Sequence, residues 1–273
     1  MKECSTRYPL LLVHGMGFRD GRIGYWGRIP RVLREKGARV FFGGQEANAS
    51  IQRNALLLAE RLRRVLRETG AEKVNIIAHS KGGLEARWLI SVLGMGGSVA
   101  SLTTISTPHQ GSAVMEKLMR LPEPLMKLIG RTTDVFKRLG GDEQPDTFAC
   151  FRQLTKGYMK EFNRLCPDDG RVLYRSCAFT MKSPLSDILM AVPFAAVKAM
   201  NGQSDGFLVP EEVRWGQFMG TFTGTGLRGI SHCDEVDLRR RRLCRRAPGK
   251  PSELSDITRL YVSLVSGLRE LGL

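Results

Sequence analysis

Ser80 stands where a nucleophile has to stand. It follows Val74-Asn75-Ile76-Ile77-Ala78-His79, a short run with β-branched residues. It precedes Lys81-Gly82-Gly83-Leu84-Glu85-Ala86-Arg87-Trp88-Leu89, which has helical composition. Strand, tight turn around a serine, then helix is the layout of a nucleophile elbow. A serine hydroxyl attacks carbonyls poorly until it is exposed, held rigid and paired with a base. Small residues beside it let strand and helix approach without clashing around the strained serine. Ala78 replaces the first glycine of the usual G-x-S-x-G string, so the match is incomplete. The competing reading is a serine in an ordinary strand-to-helix turn. The residues elsewhere in the chain decide between them.

A serine on such an elbow is followed in chain order by an acid and then by a histidine. The chain has four histidines: His14, His79, His109 and His232. His79 adjoins Ser80, so its ring should point away from it. His14 precedes the serine. His109, in Thr107-Pro108-His109-Gln110-Gly111, directly follows an apolar run and reads equally well as a satisfied structural histidine. Elimination favours His232, in Gly229-Ile230-Ser231-His232-Cys233-Asp234, as the base. The acid candidate is Asp205, in Gly202-Gln203-Ser204-Asp205-Gly206, where flanking glycines mark a tight loop able to aim a carboxylate. Asp187 and Asp234 are rivals. Asp187 reads more easily as a helix start, and Asp234 lies too close to His232 to orient its ring. A buried carboxylate in this role fixes the imidazole tautomer and stabilises the imidazolium.

Two backbone N–H groups are needed for the developing oxyanion. One should come from Lys81, the residue after the nucleophile. The other should come from the Gly-rich loop His14-Gly15-Met16-Gly17-Phe18, which follows the buried-strand run Tyr8-Pro9-Leu10-Leu11-Leu12-Val13, with the Met16 N–H as the candidate.

Taken together, Tyr8 to Met16, Val74 to Gly83, Thr107-Pro108-His109-Gln110-Gly111-Ser112, Ser204-Asp205-Gly206 and His232-Cys233-Asp234-Glu235-Val236 resemble the signature blocks of bacterial triacylglycerol lipases, in the same order. The resemblance implies an α/β-hydrolase fold and carboxylic ester hydrolysis. It implies Ser80, Asp205 and His232 as the triad, and Met16 and Lys81 as oxyanion-hole donors. Members of that family that carry a structural calcium ligate it partly with an aspartate two residues after the catalytic histidine, and Asp234 matches. Their second aspartate follows an S-P-L block and falls here on Met190, with Asp187 nearby but shifted. Thermophilic relatives hold zinc with a histidine pair in an inserted region; all four histidines here are assigned elsewhere. No cofactor and no bound metal are therefore expected.

The elements that must position these groups alternate strand and helix, which favours a mostly parallel sheet with helices on both faces. Candidate strands are Leu10 to Val13, Arg39 to Phe42, Val74 to Ala78, Leu102 to Ser106, Val172 to Thr180 and Gln217 to Phe222. Ser50 to Glu68 reads as an amphipathic helix with Leu56, Leu57, Ala59, Leu62 and Leu66 on one face. Asn48-Ala49-Ser50 matches a glycosylation sequon, but its polar residues serve equally to open that helix. From Gly111 to about Met200 the pattern changes. Val114, Leu118, Leu121, Leu125 and Ile129 recur at helical spacing among Lys117, Arg120, Lys127 and Arg131. Seven of the eleven methionines fall here: Met115, Met119, Met126, Met159, Met181, Met190 and Met200. Such a segment is either extra core helices or a mobile cap whose methionine-rich inner face adapts to acyl chains, and its place after a core strand favours the cap. The expected organisation is a hydrolase core at 1–110 and 201–273, with 111–200 largely cap but including one core strand near 172–180.

Composition sets outer limits. The chain of 273 residues suits one such domain and cap. No apolar run reaches the roughly 18 residues of a membrane span. The first strand begins close to Met1, which leads to the expectation of a cytoplasmic protein, or a secreted one whose signal has been removed. Six cysteines without a C-x-x-C pair read as mainly free thiols. The net charge is +15, with a dense run at Arg239-Arg240-Arg241-Arg242 and Arg245-Arg246. That run lacks interleaved aromatics, so it reads as a solvated basic segment with a non-specific pull toward anionic lipid surfaces and no specific nucleic-acid partner. The sequence thus points to a serine lipase or esterase acting on acyl esters. Acyl transfer to an alcohol through the same triad is one alternative, and a non-catalytic lipid or membrane-surface binding protein is the other.

Overall fold

Leu10, Leu11, Leu12 and Val13 are all fully buried. A strand with no wet face belongs in the middle of a parallel sheet covered on both sides. The computed structural model, which describes residues 2–20, 24–184, 187–198 and 202–273, has that sheet. Its strands are β1 (Leu10–Val13), β2 (Val40–Phe42), β3 (Val74–His79), β4 (Val99–Ile105), β5 (Leu173–Thr180), β6 (Gln217–Gly224) and β7 (Glu253–Leu254). They lie in the order β2-β1-β3-β4-β5-β6-β7, every pair parallel. This is the α/β-hydrolase fold. β4 begins at Val99 rather than Leu102. The short β7 carries too few residues for any periodic signal.

Side chains alternate across a strand, and two cores follow from that alternation. Leu10, Leu12, Ile77, Ile105, Cys177 and Phe179 face helices α1 (Ile29–Glu35) and α10 (Ile257–Glu270), which contribute Ile29, Leu33, Tyr261 and Val265. Leu11, Val13, Ile76, Ala78 and Leu102 face helices α2 (Ile51–Thr69) and α3 (Lys81–Ser91), which contribute Leu58, Leu62, Val65 and Leu89. Ser50 caps α2 by accepting from the Arg53 N–H, and Gly70 closes it in a left-handed conformation. The helix's phase differs from the expectation. Ala55, Leu58, Ala59, Leu62 and Val65 are buried, whereas Leu56 is exposed. Leu56-Leu57-Leu58 spans much of the helix circumference, so the pattern leaves the phase open and packing against the sheet and α3 selects it.

Between β4 and β5 the chain inserts helices α4 (Ala113–Leu118), α5 (Glu123–Leu139), α6 (Thr147–Gln153) and α7 (Lys156–Leu165). Of these, α4 and α7, with Leu154 at the end of α6, join a third apolar cluster containing Leu84, Met115, Leu154, Met159 and Phe162. The α5 helix buries only Met126 and Gly130, and leaves Leu128, Val135, Phe136 and Leu139 exposed, the last two at 67% and 77%. Its C-terminal end is fastened to loops of the core. Lys137 Nζ donates to the Gly17 carbonyl, Arg19 donates to the Gly141 carbonyl, and Asp142 accepts from the Ala47 and Asn48 N–H groups. Helices α8 (Ile188–Lys198) and α9 (Pro210–Val213) lie between β5 and β6. Of the methionines in this segment, Met115, Met126, Met159 and Met181 are buried. Met200, and with it the boundary at 200/201, lies outside the described residues. All six cysteines are free thiols. Among the described residues no helix is long and apolar enough to cross a membrane.

Candidate active site

β3 ends at His79 and α3 starts at Lys81, so Ser80 alone makes the corner, at φ 54° and ψ −132°. A non-glycine residue in that region is strained, and only over-determined surroundings hold it there. The Ser80 N–H donates to Ile105 O at 2.9 Å, and the Thr107 hydroxyl donates to Ser80 O at 2.8 Å. The corner closes only because glycines follow it. A Cβ on Gly82 would lie 2.3 Å from His14 O, and one on Gly83 would lie 2.1 Å from Thr107 Oγ1. Gly15 works the same way from the opposite wall, where a Cβ would lie 2.8 Å from Ser80 Cβ. The loop carrying Met16 therefore sits directly against the serine, and Lys81 opens a helix whose first N–H groups lack intrahelical partners.

Asp205 and His232 arrive from loops beyond the carboxyl ends of β5 and β6. His232 Nε2 is 3.0 Å from Ser80 Oγ, and His232 Nδ1 is 2.7 Å from Asp205 Oδ2. Asp205 is fully buried. Its other oxygen accepts from the Phe207 and Leu208 N–H groups, both at 2.7 Å, and its carbonyl accepts from the His232 N–H. Burial alone would push this carboxyl up, but His232 and the two N–H donors outweigh burial and hold it below the usual carboxylate range. Three residues expected from the sequence to act together are brought within hydrogen-bonding distance in the expected order.

The remaining candidates separate cleanly. His14 bonds the carbonyls of Gly15 and Gln45. His109 lies stacked on Trp215, bonded to Thr104 and Arg87, and burial beside Arg87 pulls it far below the ordinary imidazole value. The nitrogens of His79 turn away from Ser80, as its position requires, yet its ring comes round behind His232, with centroids 4.4 Å apart.

That approach exposes a layer absent from the sequence reading. Tyr25 accepts from the Gly15 N–H at 3.0 Å and bonds His79 Nδ1 at 2.6 Å. His79 Nε2 lies 3.1 Å from Glu235 Oε2, and Glu235 Oε1 accepts from the Ser106 hydroxyl at 3.0 Å. Glu235 is fully buried; burial first, then Asp205 beside it, push its carboxyl well above the ordinary range. Tyr25 offers no sequence motif. Glu235 lies one helical turn past His232, and that spacing was its only signal.

Two clusters test for metal. Among the described residues, His79, His232 and Glu235 bring ligand atoms within 4.8 Å of one another, but each is committed to the hydrogen bonds above. The carboxylates of Asp187 and Asp234 come together, but the Arg239 guanidinium contacts both, at 3.0 Å and 3.5 Å. Met190 lies in the wall of the cavity instead. A divalent ion does not fit where a guanidinium already stands between the two acids.

Ser80 and His232 open onto a cavity of about 180 Å³ walled by Met16, Phe18, Leu154, Met190, Phe207, Val236 and Leu238. No family model matches the sequence. Triacylglycerol lipase 2 of Saccharomyces cerevisiae is 30% identical over 224 residues, covering 79% of this chain and 63% of that protein. Triacylglycerol lipases of Pseudarthrobacter phenanthrenivorans and Burkholderia plantarii are each 36% identical over 188 residues, covering 63% of this chain. The chain is thus similar to triacylglycerol lipases of yeast and bacteria. It spans between about half and just under two thirds of the length of these curated relatives, at 63%, 58% and 52%. The fold agrees. Staphylococcus hyicus lipase superposes with a TM-score of 0.68 at 15% identity, covering 97% of this chain and 96% of that one. A metagenomic carboxyl esterase gives 0.69 at 14% identity, covering 97% and 76%.

Proposed function

We propose that this protein hydrolyses carboxylic esters through Ser80, His232 and Asp205. The observation that carries the reading is the hydrogen-bonded chain from Ser80 Oγ through His232 to a buried Asp205, at 3.0 Å and 2.7 Å, on a strained elbow. His232 takes the Ser80 proton as Oγ attacks the ester carbonyl. The N–H groups of Met16 and Lys81 hold the oxyanion. His232 then protonates the leaving alcohol, and water, deprotonated by the same imidazole, releases the acid from the acyl-enzyme. The relatives' names, triacylglycerol lipase, support an acyl ester as substrate. The cavity holds about six water volumes at about 30 Å³ each, and its apolar wall suits a short acyl group as the protein stands.

The insertion from α4 to α7 is read as the cap. The exposed apolar side chains of α5, with Lys127 and Arg131 between them, suit an anionic lipid surface. A p-nitrophenyl ester series from acetate to palmitate, run with and without mild detergent, tests the reading. Short esters should be preferred in buffer, with longer ones gaining when detergent covers α5. Ser80→Ala should lose about 10⁴-fold or more in rate while keeping its fold. Turnover retained in folded Ser80→Ala would refute the mechanism, and indifference to detergent would make the insertion a fixed wall and the protein an esterase.

A further inference from the structure

We propose that Arg239 is the resident cation of the Asp187–Asp234 pair and a positioning residue for His232. The activity part of this proposal rests on the ester-hydrolase reading; the structural part does not. Asp234 sits two residues after His232, while Asp187 comes from the segment that opens α8. Both are buried, at 6% and 4% exposure. The residue before His232 joins them: the Ser231 hydroxyl donates to Asp187 Oδ2 at 2.6 Å and accepts from the Asp234 N–H at 3.2 Å. The chain on both sides of the imidazole is thus tied to one small cluster of two carboxylates.

Two buried carboxylates gathered around Ser231, one accepting from its hydroxyl and the other from its N–H, repel each other, and a cluster of that charge holds together only with a cation in it. Arg239 supplies the cation, with a planar fork whose several N–H donors reach both acids at once. Arg228 adds a second positive charge acting on Asp234. The first arginine of the basic run is therefore not a solvated surface charge; its side chain is 24% exposed. A fixed guanidinium cannot be removed by a chelator or diluted away, so the His232 loop is held without any metal supply.

Arg239→Met decides this, measured by melting and, in the active protein, by hydrolysis. Melting is read in the Ser80→Ala background as well, so that a failure of the hydrolase reading leaves this arm intact. Wild-type Tm and activity should be indifferent to a chelator and to millimolar calcium chloride. Arg239→Met should lower Tm by roughly 10 °C and lower kcat by up to about 100-fold with KM little changed, since His232 rather than substrate binding is displaced. Calcium should raise the variant's Tm and kcat, because the freed acids offer the oxygen ligands a hard cation takes. Asp234→Asn with Arg239→Met should recover much of the lost Tm without calcium, and should do so even where Arg239→Met alone does not fold. Recovery by either route supports the counter-ion role. A wild-type protein that loses Tm to a chelator, an unaffected Arg239→Met, or a loss that neither calcium nor Asp234→Asn restores would overturn it.

Discussion

Gly82→Ala adds one methyl group at the elbow, and the structure says where it goes. The new Cβ would sit 2.3 Å from His14 O and 2.9 Å from Val13 O, both backbone atoms at the end of β1. Ordinary van der Waals contact starts at 3.4 Å, so α3 and the loop carrying Met16 must part by about 1 Å. No flexible side chain can yield there in place of the backbone. Overpacking of this kind costs about 1–3 kcal/mol, equivalent to roughly 2–10 °C in Tm for a domain of this size. The larger effect is on rate, because the parting separates the two N–H groups proposed for the oxyanion. A 1 Å misplacement is worth about 100-fold, and it should fall on kcat because the oxyanion exists only after attack. The assay is steady-state hydrolysis of p-nitrophenyl butyrate, with active-site titration by an organophosphate to count competent serines. Gly157→Ala is the control, since a Cβ there meets nothing within 4 Å. A Gly82→Ala protein with wild-type kcat and Tm would refute the close packing of elbow against loop and, with it, the oxyanion assignment.

Two further outcomes are expected. His232→Ala should match Ser80→Ala in lost turnover, whereas His109→Ala should keep turnover and lose Tm, because His109 is buried against Trp215 and bonded to Thr104 and Arg87; the opposite ranking in hydrolysis would remove His232 from the triad. The folded protein holds the Glu235 proton more tightly than the unfolded chain does. Its contribution to stability is therefore full below the ordinary carboxylate range and lost as pH rises through the raised value. Glu235→Gln, permanently neutral, should melt with wild type at and below the ordinary carboxylate range and above it as pH rises, and a Tm difference that stays constant from roughly pH 4 to 9 would show that folding leaves the proton affinity of Glu235 unchanged.

The sequence singled out Ser80, His232 and Asp205 because each position is advertised by its backbone. Ser80 needs a strand, a corner and glycines around it, and Asp205 needs a tight loop; these are local demands that residue types reveal. Tyr25, His79 and Glu235 make no such demand. Their contacts come from the packing of the turn before α1, the end of β3 and the loop after β6 against one another, which no window of sequence contains. Arg239 was hidden differently, inside a run of arginines whose composition reads as solvated surface. The phase of α2 was illegible because consecutive leucines offer several apolar faces and only the sheet chooses among them.

The way the triad is wired across the sheet has a consequence for how the chain reaches its working form. Ser80 and His232 are separated by 152 residues, and His232 and Asp205 by 27. Ser80 follows β3, Asp205 lies in a loop between β5 and β6, and His232 lies in a loop after β6; every strand pair is parallel, so each pairing spans an intervening crossover. Contacts of such long sequence separation form slowly, because the entropy of closing each loop is lost before the contact repays it. Helices such as α2 and α10 can form on local information, while Ser80 meets His232 only once β3 through β6 lie side by side. The contact between Ser80 and His232 is therefore expected late in folding, and until it forms the chain would present unpaired strand edges to its neighbours.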